Sequence, residues 1–310
     1  MNTKPTAKIS GVGVVCVHGV GDESLLSSEQ MLYTSYHEAA PRQSGAVPHF
    51  DSSQFITQKK SLKLMSRASL LGLAASRVAT KNTPALSEAG LFMSVGMSGG
   101  ELTSLSGMLS LSMTQDETLD LRLMGEQGLP RINPLLSFHV LNNMPLCHTS
   151  IELGIHGPHA AMYTADTAGG LRALSRAAQC VVRHEAPLAL AGGADSPLDT
   201  INLSLSTRSY PSEGAAMMVF SAEGDIEWLG LSEHKEQSPH AALRSLTDER
   251  PTIQLKSAEV GLFGDTQAAA AALWVARAIA LLRVSPVGTL GAVFAHDELG
   301  VSVALLRRFQ

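Results

Sequence analysis

A chain of 310 residues with 45% hydrophobic residues and a mean hydropathy of +0.11 has enough apolar side chains for a large buried core. Its formal net charge of −5 and pI near 6.1 give no basic surface of the kind that nucleic acid requires. Polar residues at 1–10, no apolar run of bilayer length and three cysteines without metal spacing predict a cytoplasmic protein with no membrane span, cofactor or metal.

Short apolar strands alternate with helices along the chain, which is typical of a layered α/β fold. The predicted strands lie at 9–15, 90–95, 160–163, 188–194, 215–220 and 227–231, and a closing hairpin spans 292–306. The helical spacing of apolar residues predicts helices at 62–79, 171–182 and about 267–282. The segment 98–134 is rich in Ser, Gly and Met without clean periodicity, so it is predicted to form loop and short helix.

One sharp turn stands between a strand and a helix. Residues 163–170 are Tyr-Thr-Ala-Asp-Thr-Ala-Gly-Gly, and the small apolar residues at 160–163 before them predict a buried strand. Together with the next helix and strand they form a βαβ unit, which places Asp166 at a helix N-terminus. Free backbone N–H groups and the positive end of the helix dipole converge there, which suits a nucleophile or a bound anion.

Four motifs in a fixed order carry a family resemblance. They are Asn-Asn-Met-Pro-Leu-Cys-His at 142–148, Leu-Gly-Ile-His-Gly-Pro at 153–158, Thr-Ala-Asp-Thr-Ala-Gly at 164–169 and Leu-Ala-Gly-Gly-Ala-Asp at 190–195. The chain resembles a β-ketoacyl-[acyl carrier protein] synthase of the thiolase superfamily. The resemblance implies a thiolase fold, in which duplicated βαβ halves form αβαβα layers, here with trimmed cap loops. The halves are predicted at 1–197 and 198–310, within one compact unit.

Three catalytic positions of that family are changed or missing. Asp166 stands where the family has its nucleophilic cysteine, and the His-Gly-Thr-Gly-Thr loop has no counterpart. The Lys-Ser-x-x-Gly-His-Thr element is represented by Lys256-Ser257 and Gly264-Asp265-Thr266, which puts Asp265 at the second histidine. The turn that carries gating phenylalanines in the family is Ala-His-Asp-Glu-Leu-Gly-Val at 295–301.

Condensation requires the groups that these positions lack. A thiolate must hold the acyl chain, and neutral imidazoles must stabilise the enolate. An acyl group on Asp166 would form an anhydride that hydrolyses readily, and a carboxylate at Asp265 would repel the enolate. We therefore expect no independent ketosynthase activity, and we treat Asp166, Asp265 and Lys256 as vestigial positions.

The family that the chain resembles includes members that retain the fold but lack the catalytic residues. These are the chain-length factors of type II polyketide systems, including those of aryl polyene clusters. The resemblance implies a heterodimer with an active β-ketoacyl synthase, a role in shaping the acyl-chain cavity, and an acyl carrier protein as a further partner. The strand before Asp166 would pair with its counterpart across the twofold axis. The candidate cavity and interface residues are Phe138, His139, Asn142, Met162 and Thr164.

Other interpretations of the two aspartates stay open. Asp166 and Asp265 belong to a residue type that caps helices well, so both could be structural. If their carboxylates line one pocket, they could instead share a proton and serve as acid and base of a thioester hydrolase or decarboxylase. A degenerate homodimer that binds acyl groups or carrier protein without reacting is a third hypothesis.

A competing motif, Gly-Met-Ser-Gly-Gly at 96–100, matches the nucleophile elbow of an α/β-hydrolase. The residues after Gly100 form no convincing amphipathic helix, which disfavours that hypothesis. His156 and His159 lack the helical spacing of a metal pair because Gly and Pro lie between them. The acids and bases that a hydrolase would draw on are Asp195, Asp199, His234, His240 and His296.

Overall fold

The computed structural model describes residues 6–21, 23–26, 34–35, 43–83, 85–96, 102–163, 167–199, 202–203, 210–235, 238–257, 262–298 and 300–310. Its strands are β1 (Lys8–Cys16), β2 (Gly19–Val20), β3 (Thr34–Ser35), β4 (Gln43–Ser44), β5 (Gly90–Val95), β6 (His159–Tyr163), β7 (Ala189–Asp195), β8 (Gly214–Ser221), β9 (Ile226–His234), β10 (Ile253–Lys256), β11 (Leu290–Asp297) and β12 (Gly300–Arg308). Its α-helices are α1 (Arg67–Ala79), α2 (Leu102–Ser112), α3 (Leu121–Leu123), α4 (Leu136–Val140), α5 (Met144–Leu153), α6 (Gly169–Val182), α7 (Pro239–Arg244) and α8 (Ala270–Arg283). Short 3-10 helices lie at Glu23–Leu26, Ser52–Phe55, Lys59–Leu64, Leu129–Arg131 and Gln267–Ala269, and a π-helical turn at Met124–Gly128.

The long sheet has the strand order β10-β11-β12-β9-β1-β8-β7-β5-β6, and β2 pairs with β1 outside this path. β5 lies parallel to both β6 and β7, so the predicted βαβ unit crosses over one intervening strand. β1 pairs antiparallel with β8 along most of its length and meets β9 through Lys8 and Ile9 at its start. The sheet therefore consists of two lobes that join at the beginning of β1.

Alternate residues of each strand face different helix layers, as the twofold period of a strand dictates. In β8, Met218 and Phe220 join the core around α6 and α8, whereas Met217 and Val219 join the core beneath α1. The helices α6 and α8 contact strands of both lobes, and α7 covers the far face of β9 and β12. The layers run helix, sheet, helix, sheet, helix, which is the predicted αβαβα arrangement.

Small residues let these layers approach closely. At Gly170 of α6, a Cβ atom would lie 2.9 Å from the backbone nitrogen of Ala272 in α8. At Gly13 of β1, a Cβ atom would lie 2.0 Å from the carbonyl oxygen of Ala75 in α1. The 5% content of aromatic residues is consistent with such packing, because backbone atoms make many of the contacts that large side chains make elsewhere.

The first predicted helix begins later than expected. Lys59–Leu64 forms a 3-10 helix, and α1 begins at Arg67 after Ser66, whose hydroxyl oxygen accepts a hydrogen bond from the Ser69 N–H. A serine cap of this kind satisfies a backbone donor that the first turn leaves free. The predicted start at residue 62 was wrong because the spacing of apolar residues does not identify the residue that caps the helix.

Two further helical predictions differ in detail from the structure. The segment 98–134 contains α2, a helix of 11 residues, where only short helix was predicted, and residues 97–101 lie outside the described part. The helix predicted from 267 begins with a 3-10 turn and continues as α8. Within the described ranges, no helix is both long enough and apolar enough to cross a bilayer.

The strand predictions are confirmed in position, with two differences in placement. β5 has the predicted bounds, and β11 and β12 form the predicted closing hairpin. β6 was predicted to be buried, but its residues are half-buried or exposed because it lies at the edge of the sheet. β8, expected to begin the second half, pairs with β1 and β7 of the first lobe, so the division at residue 197 stays a prediction.

Candidate functional site

The carboxyl ends of β5, β6 and β7 lie at one edge of the first lobe because these strands are parallel. Val95 at the end of β5 pairs with Tyr163 of β6 and with Ala194 of β7. α6 follows β6 at this edge, as predicted for the turn that contains Asp166. Thr164 and Asp166 themselves lie outside the described residues. The described part of the site consists of the groups around that turn.

Asp265 lies just before α8 in a short parallel bridge with Pro211. Its N–H donates to the carbonyl of Tyr210 at 2.9 Å, and its own carbonyl accepts from the Ser212 N–H at 3.0 Å. Its Oδ1 accepts from the Gln267 N–H at 3.2 Å, one turn before α8 begins. This contact agrees with the capping interpretation, although the capping position itself is occupied by Thr266.

Asp195, at the end of β7, is the buried carboxylate of this edge. Its Oδ1 accepts from the Ser196 N–H at 2.8 Å, and its Oδ2 accepts from the Ala268 N–H at 3.1 Å. The carboxyl group occupies the space beside Gly96, where a Cβ atom would lie 2.0 Å from Oδ2. Asp195 therefore ties together the ends of β5 and β7 and the start of α8.

Burial raises the pKa of Asp195 to about 7, against the opposing effect of the backbone N–H groups of Ala268 and Ser196. The neighbouring charges of Asp265 and Asp199 raise the same pKa further. The sequence named Asp195 only as one possible acid of a hydrolase. A clearer signal was available, because an aspartate that ends a wholly buried apolar strand needs backbone donors or a proton.

We expect Asp195 to make the protein less stable as the pH rises. Since its folded-state pKa of about 7 exceeds the ordinary value of 3.8 for an aspartate, the folded state holds the extra proton between these values. Stability linked to that proton is fully present below the unfolded pKa and is lost as the pH rises through the folded pKa. Urea unfolding of the wild type from about pH 5 to about pH 8 should show a falling free energy of unfolding.

The matched comparison is Asp195→Asn, which removes the titrating group while keeping the side-chain shape. It should be less stable at pH 5, because an amide NH2 would face a backbone donor, and its stability should depend less on pH. Asp116→Asn, at an exposed position, should keep the slope of the wild type. An Asp195→Asn slope equal to that of the wild type would contradict the prediction.

A second buried carboxylate, Glu213, fixes the segment before β8. It accepts hydrogen bonds from Arg67 Nε at 3.0 Å and Arg67 Nη2 at 2.7 Å. It also accepts from the Val47 N–H and from the Ser196 hydroxyl, each at 2.9 Å. Glu213 thus links α1, the end of β7 and the segment around Val47, which no sequence motif indicated.

β6 forms the outer boundary of this edge. Met162 is partly buried and packs against the main core, whereas the Tyr163 side chain at the strand's end is exposed, with 58% of its surface accessible. In the described sheet order β6 is terminal and pairs with β5. Met162, predicted to lie at an interface, is therefore on a strand that pairs on one side only among the strands that the structure describes.

The other predicted interface residues lie on or next to α4. Phe138, His139 and Asn142 are all half-buried. The ring Nε2 of His139 lies 2.8 Å from the carbonyl oxygen of Lys63, which connects α4 to the 3-10 helix Lys59–Leu64. The structure thus ties His139 to a neighbouring segment of its own chain, and the assignment of these residues to a cavity stays a prediction.

His148 of α5 contacts the next backbone carbonyl group of the 3-10 helix Lys59–Leu64. Its Nε2 lies 3.1 Å from the carbonyl oxygen of Leu64. Burial lowers the pKa of His148, while the hydrogen bond to Leu64 and the charge of Glu152 act in the opposite direction. Two imidazoles, those of His139 and His148, therefore contact adjacent carbonyl groups at the end of the 3-10 helix.

Three of the nominated acids, Asp195, Asp199 and Asp265, are neighbours, because the charges of Asp199 and Asp265 act on Asp195. Lys256 is the exposed last residue of β10. Both oxygens of Asp195 face backbone amides, and residues 97–100 of the hydrolase motif lie outside the described part. Among the described residues, no group of three or more His, Cys, Asp and Glu side chains could hold a metal ion.

A model of the family described as beta-ketoacyl synthase, N-terminal domain, matches residues 21–219. The chain therefore belongs to the β-ketoacyl synthase family. A curated relative, putative polyketide beta-ketoacyl synthase 2 of Streptomyces halstedii, is 26% identical over 280 residues, which are 78% of this chain and 64% of that protein. The chain thus spans less than two thirds of the length of that relative.

Solved structures share the fold at low identity. The ishigamide ketosynthase/chain length factor gives a TM-score of 0.76 at 18% identity, covering 98% of this chain and 100% of that chain. The complex AntDE:AntF, a type II PKS acyl-carrier protein with its ketosynthase bound to the hexaketide, gives 0.72 at 12% identity, covering 99% and 100%. A beta-ketoacyl synthase from Burkholderia phymatum STM815 gives 0.71 at 14% identity, covering 99% and 100%. The predicted thiolase-type fold is confirmed.

Proposed function

We propose that this chain is a ketosynthase-like subunit without condensing activity, a chain-length factor that pairs with an active ketosynthase. Its role is to shape the cavity that receives the acyl chain in polyketide or fatty-acid-like biosynthesis. The proposal rests on one observation, the presence of Asp166 and Asp265 where the family resemblance expects a thiol and an imidazole. Neither carboxylate can replace those groups in condensation.

The surroundings of Asp265 support a structural role for that position. Its backbone is engaged by Tyr210 and Ser212, and its carboxylate accepts from the Gln267 N–H. A group held in this way maintains the start of α8 without a part in acyl transfer. The layered frame is retained around it, which is expected of a subunit selected for shape and assembly.

The edge strand β6 supports a partner of the same fold. Within the described part of the sheet one edge of β6 has no neighbouring strand, and such an edge, here with an exposed tyrosine at its end, is a ready template for pairing with another chain. A thiolase-fold partner would present an equivalent strand, so the two sheets would continue across a twofold axis. The complex of the ishigamide ketosynthase with its chain length factor provides a precedent for two such subunits.

A second surface, the 3-10 helix Lys59–Leu64, carries positive charges that would attract a carrier protein with an acidic surface. Lys59, Lys60 and Lys63 are exposed on one 3-10 helix, although the chain as a whole has a net charge of −5. Long-range attraction between opposite charges accelerates association and orients the partner. The AntDE:AntF complex is a related case in which a carrier protein binds its ketosynthase.

The direct test is co-expression with the ketosynthase encoded beside this chain, followed by affinity purification through a tag on either subunit. We expect a stoichiometric complex that survives size-exclusion chromatography. A chain that is stable and soluble as a monomer and never co-purifies would contradict the proposal.

A variant at Asp166 separates a scaffold from a catalyst. In the assembled complex, Asp166→Ala should leave product turnover within about twofold of the wild type, because a scaffold position contributes no transition-state interaction. If Asp166 and Asp265 formed an acid–base pair, the same change should lower turnover by at least about a hundredfold. Asp116→Ala, at an exposed position, serves as the control for handling and assembly.

A further inference from the structure

The end of the closing hairpin is tied to α6 by one arginine. Arg172 Nη2 lies 2.5 Å from Asp297 Oδ2 at the end of β11, and Arg172 Nε lies 2.7 Å from Glu233 Oε1 near the end of β9. The Ser302 hydroxyl of β12 donates to the same Glu233 oxygen at 3.2 Å. The guanidinium of Arg172 therefore connects the ends of β9 and β11 to α6, and Glu233 extends the contact to the start of β12, which lies between those two strands.

Two further contacts restrain the same hairpin end. The Thr167 hydroxyl, two residues before α6, donates to the carbonyl of His296 at 2.7 Å. Gly300, opposite Asp297 in the hairpin, has a φ of +124°, and a Cβ atom there would lie 2.3 Å from the carbonyl oxygen of His234. The hairpin end is therefore in contact with α6, with the turn before it and with β9.

Burial makes the central ion pair difficult to separate. The Asp297 side chain is 0% exposed and the Arg172 side chain 21% exposed. Burial alone would lower the pKa of Arg172, but its hydrogen bonds to Glu233 and Asp297 outweigh that effect and raise it. Moving the hairpin end away from α6 would leave a carboxylate buried without its partner or carry it into water, and either change is costly.

We infer that the end of the β11–β12 hairpin is a fixed wall of the site, held to α6 by Arg172, and does not open as a gate. The inference rests on the proposed function, because a fixed wall matters only if this chain helps to shape the acyl-chain cavity. An immobile wall suits a subunit that shapes a cavity, whereas a subunit that admits substrate past this turn would need it to move. Arg172 is thus a positioning residue, and its partners come from segments far apart in sequence.

Hydrogen exchange measured by mass spectrometry tests this inference on the full chain, alone or with its partner. In the wild type, amides at 295–298 and 300–302 should exchange within about tenfold of those in the middle of β11. Arg172→Met should accelerate exchange there at least about tenfold, while peptides from β7 and α1 stay unchanged. Arg183→Met, at the exposed end of α6 with 64% of its side chain accessible, should leave the hairpin protected.

Arg172→Met leaves Asp297 buried alone and could fail to fold, so Arg172→Met/Asp297→Asn provides a second variant without the lone charge. It should show the same local acceleration. Rapid exchange of the hairpin end in the wild type, or unchanged exchange in a folded variant, would overturn the inference. Because the measurement requires neither a partner nor turnover, failure to co-purify with a ketosynthase would refute the proposed function separately.

Discussion

Gly192→Val should strongly destabilise the folded chain. Gly192 lies in β7, where a Cβ atom would stand 1.8 Å from the carbonyl oxygen of Ala216 and 2.9 Å from the Cα of Met217 in β8. A backbone atom of a paired strand cannot rotate away as a side chain can. We therefore expect a loss of about 3 kcal/mol or more in the free energy of unfolding, the upper end for overpacked cores. Urea titration of any soluble protein, together with its yield, measures the effect.

Gly107→Ala is the matched control. Gly107 lies within α2 and is exposed, and nothing stands within 4 Å of the position that its Cβ would occupy. Because alanine is the better helix former, this variant should match or exceed the wild type in stability by up to about 1 kcal/mol. A Gly192→Val protein with the same urea midpoint as Gly107→Ala would show that β7 and β8 do not pack as described.

Tyr163→Lys should disrupt the complex with the ketosynthase while leaving the chain folded. Tyr163 is exposed at the end of β6, so the substitution removes little packing within the chain. At an interface, however, the ammonium group would lose its hydration without a partner charge, and lysine on an edge strand opposes pairing. The amount of ketosynthase retained should fall at least about tenfold, equivalent to about 1.4 kcal/mol.

Val287→Lys controls for the added charge. Val287 is 68% exposed in the turn before β11, away from the β6 edge in the strand order. It should retain as much ketosynthase as the wild type. Equal retention by both variants would show that β6 is not the pairing edge, and circular dichroism of each purified chain would confirm that folding is unaffected.

The parts of this fold that could be predicted are those determined by local sequence. β5 was placed at its observed bounds because its side chains are all buried and the run is short and apolar. The ladder of β11 and β12 follows from two apolar runs close together in sequence. The burial of β6 was mispredicted because burial depends on a strand's place in the sheet order, which composition does not determine.

In the candidate site, too, only the features determined by local sequence could be predicted. The positions of Asp166 and Asp265 were recognised from flanking motifs, each contained within a few residues. Asp195 accepts hydrogen bonds from the backbone N–H groups of Ser196 and Ala268, and Ala268 lies 73 residues further along the chain. The contacts of Arg172 likewise reach β9 and β11. Such contacts depend on tertiary packing, and no spacing along a single sequence reveals them.

The place of β1 in the middle of the sheet has a consequence for how the chain folds while it is being translated. Val12 pairs with Met218 and Ile9 with Phe220, so during synthesis β1 waits for a partner strand about 200 residues further along the chain. At ordinary elongation rates that interval lasts on the order of ten to forty seconds. Throughout it, β1 lacks β8, with which it pairs along most of its length, so its apolar side chains are open to contacts with other chains.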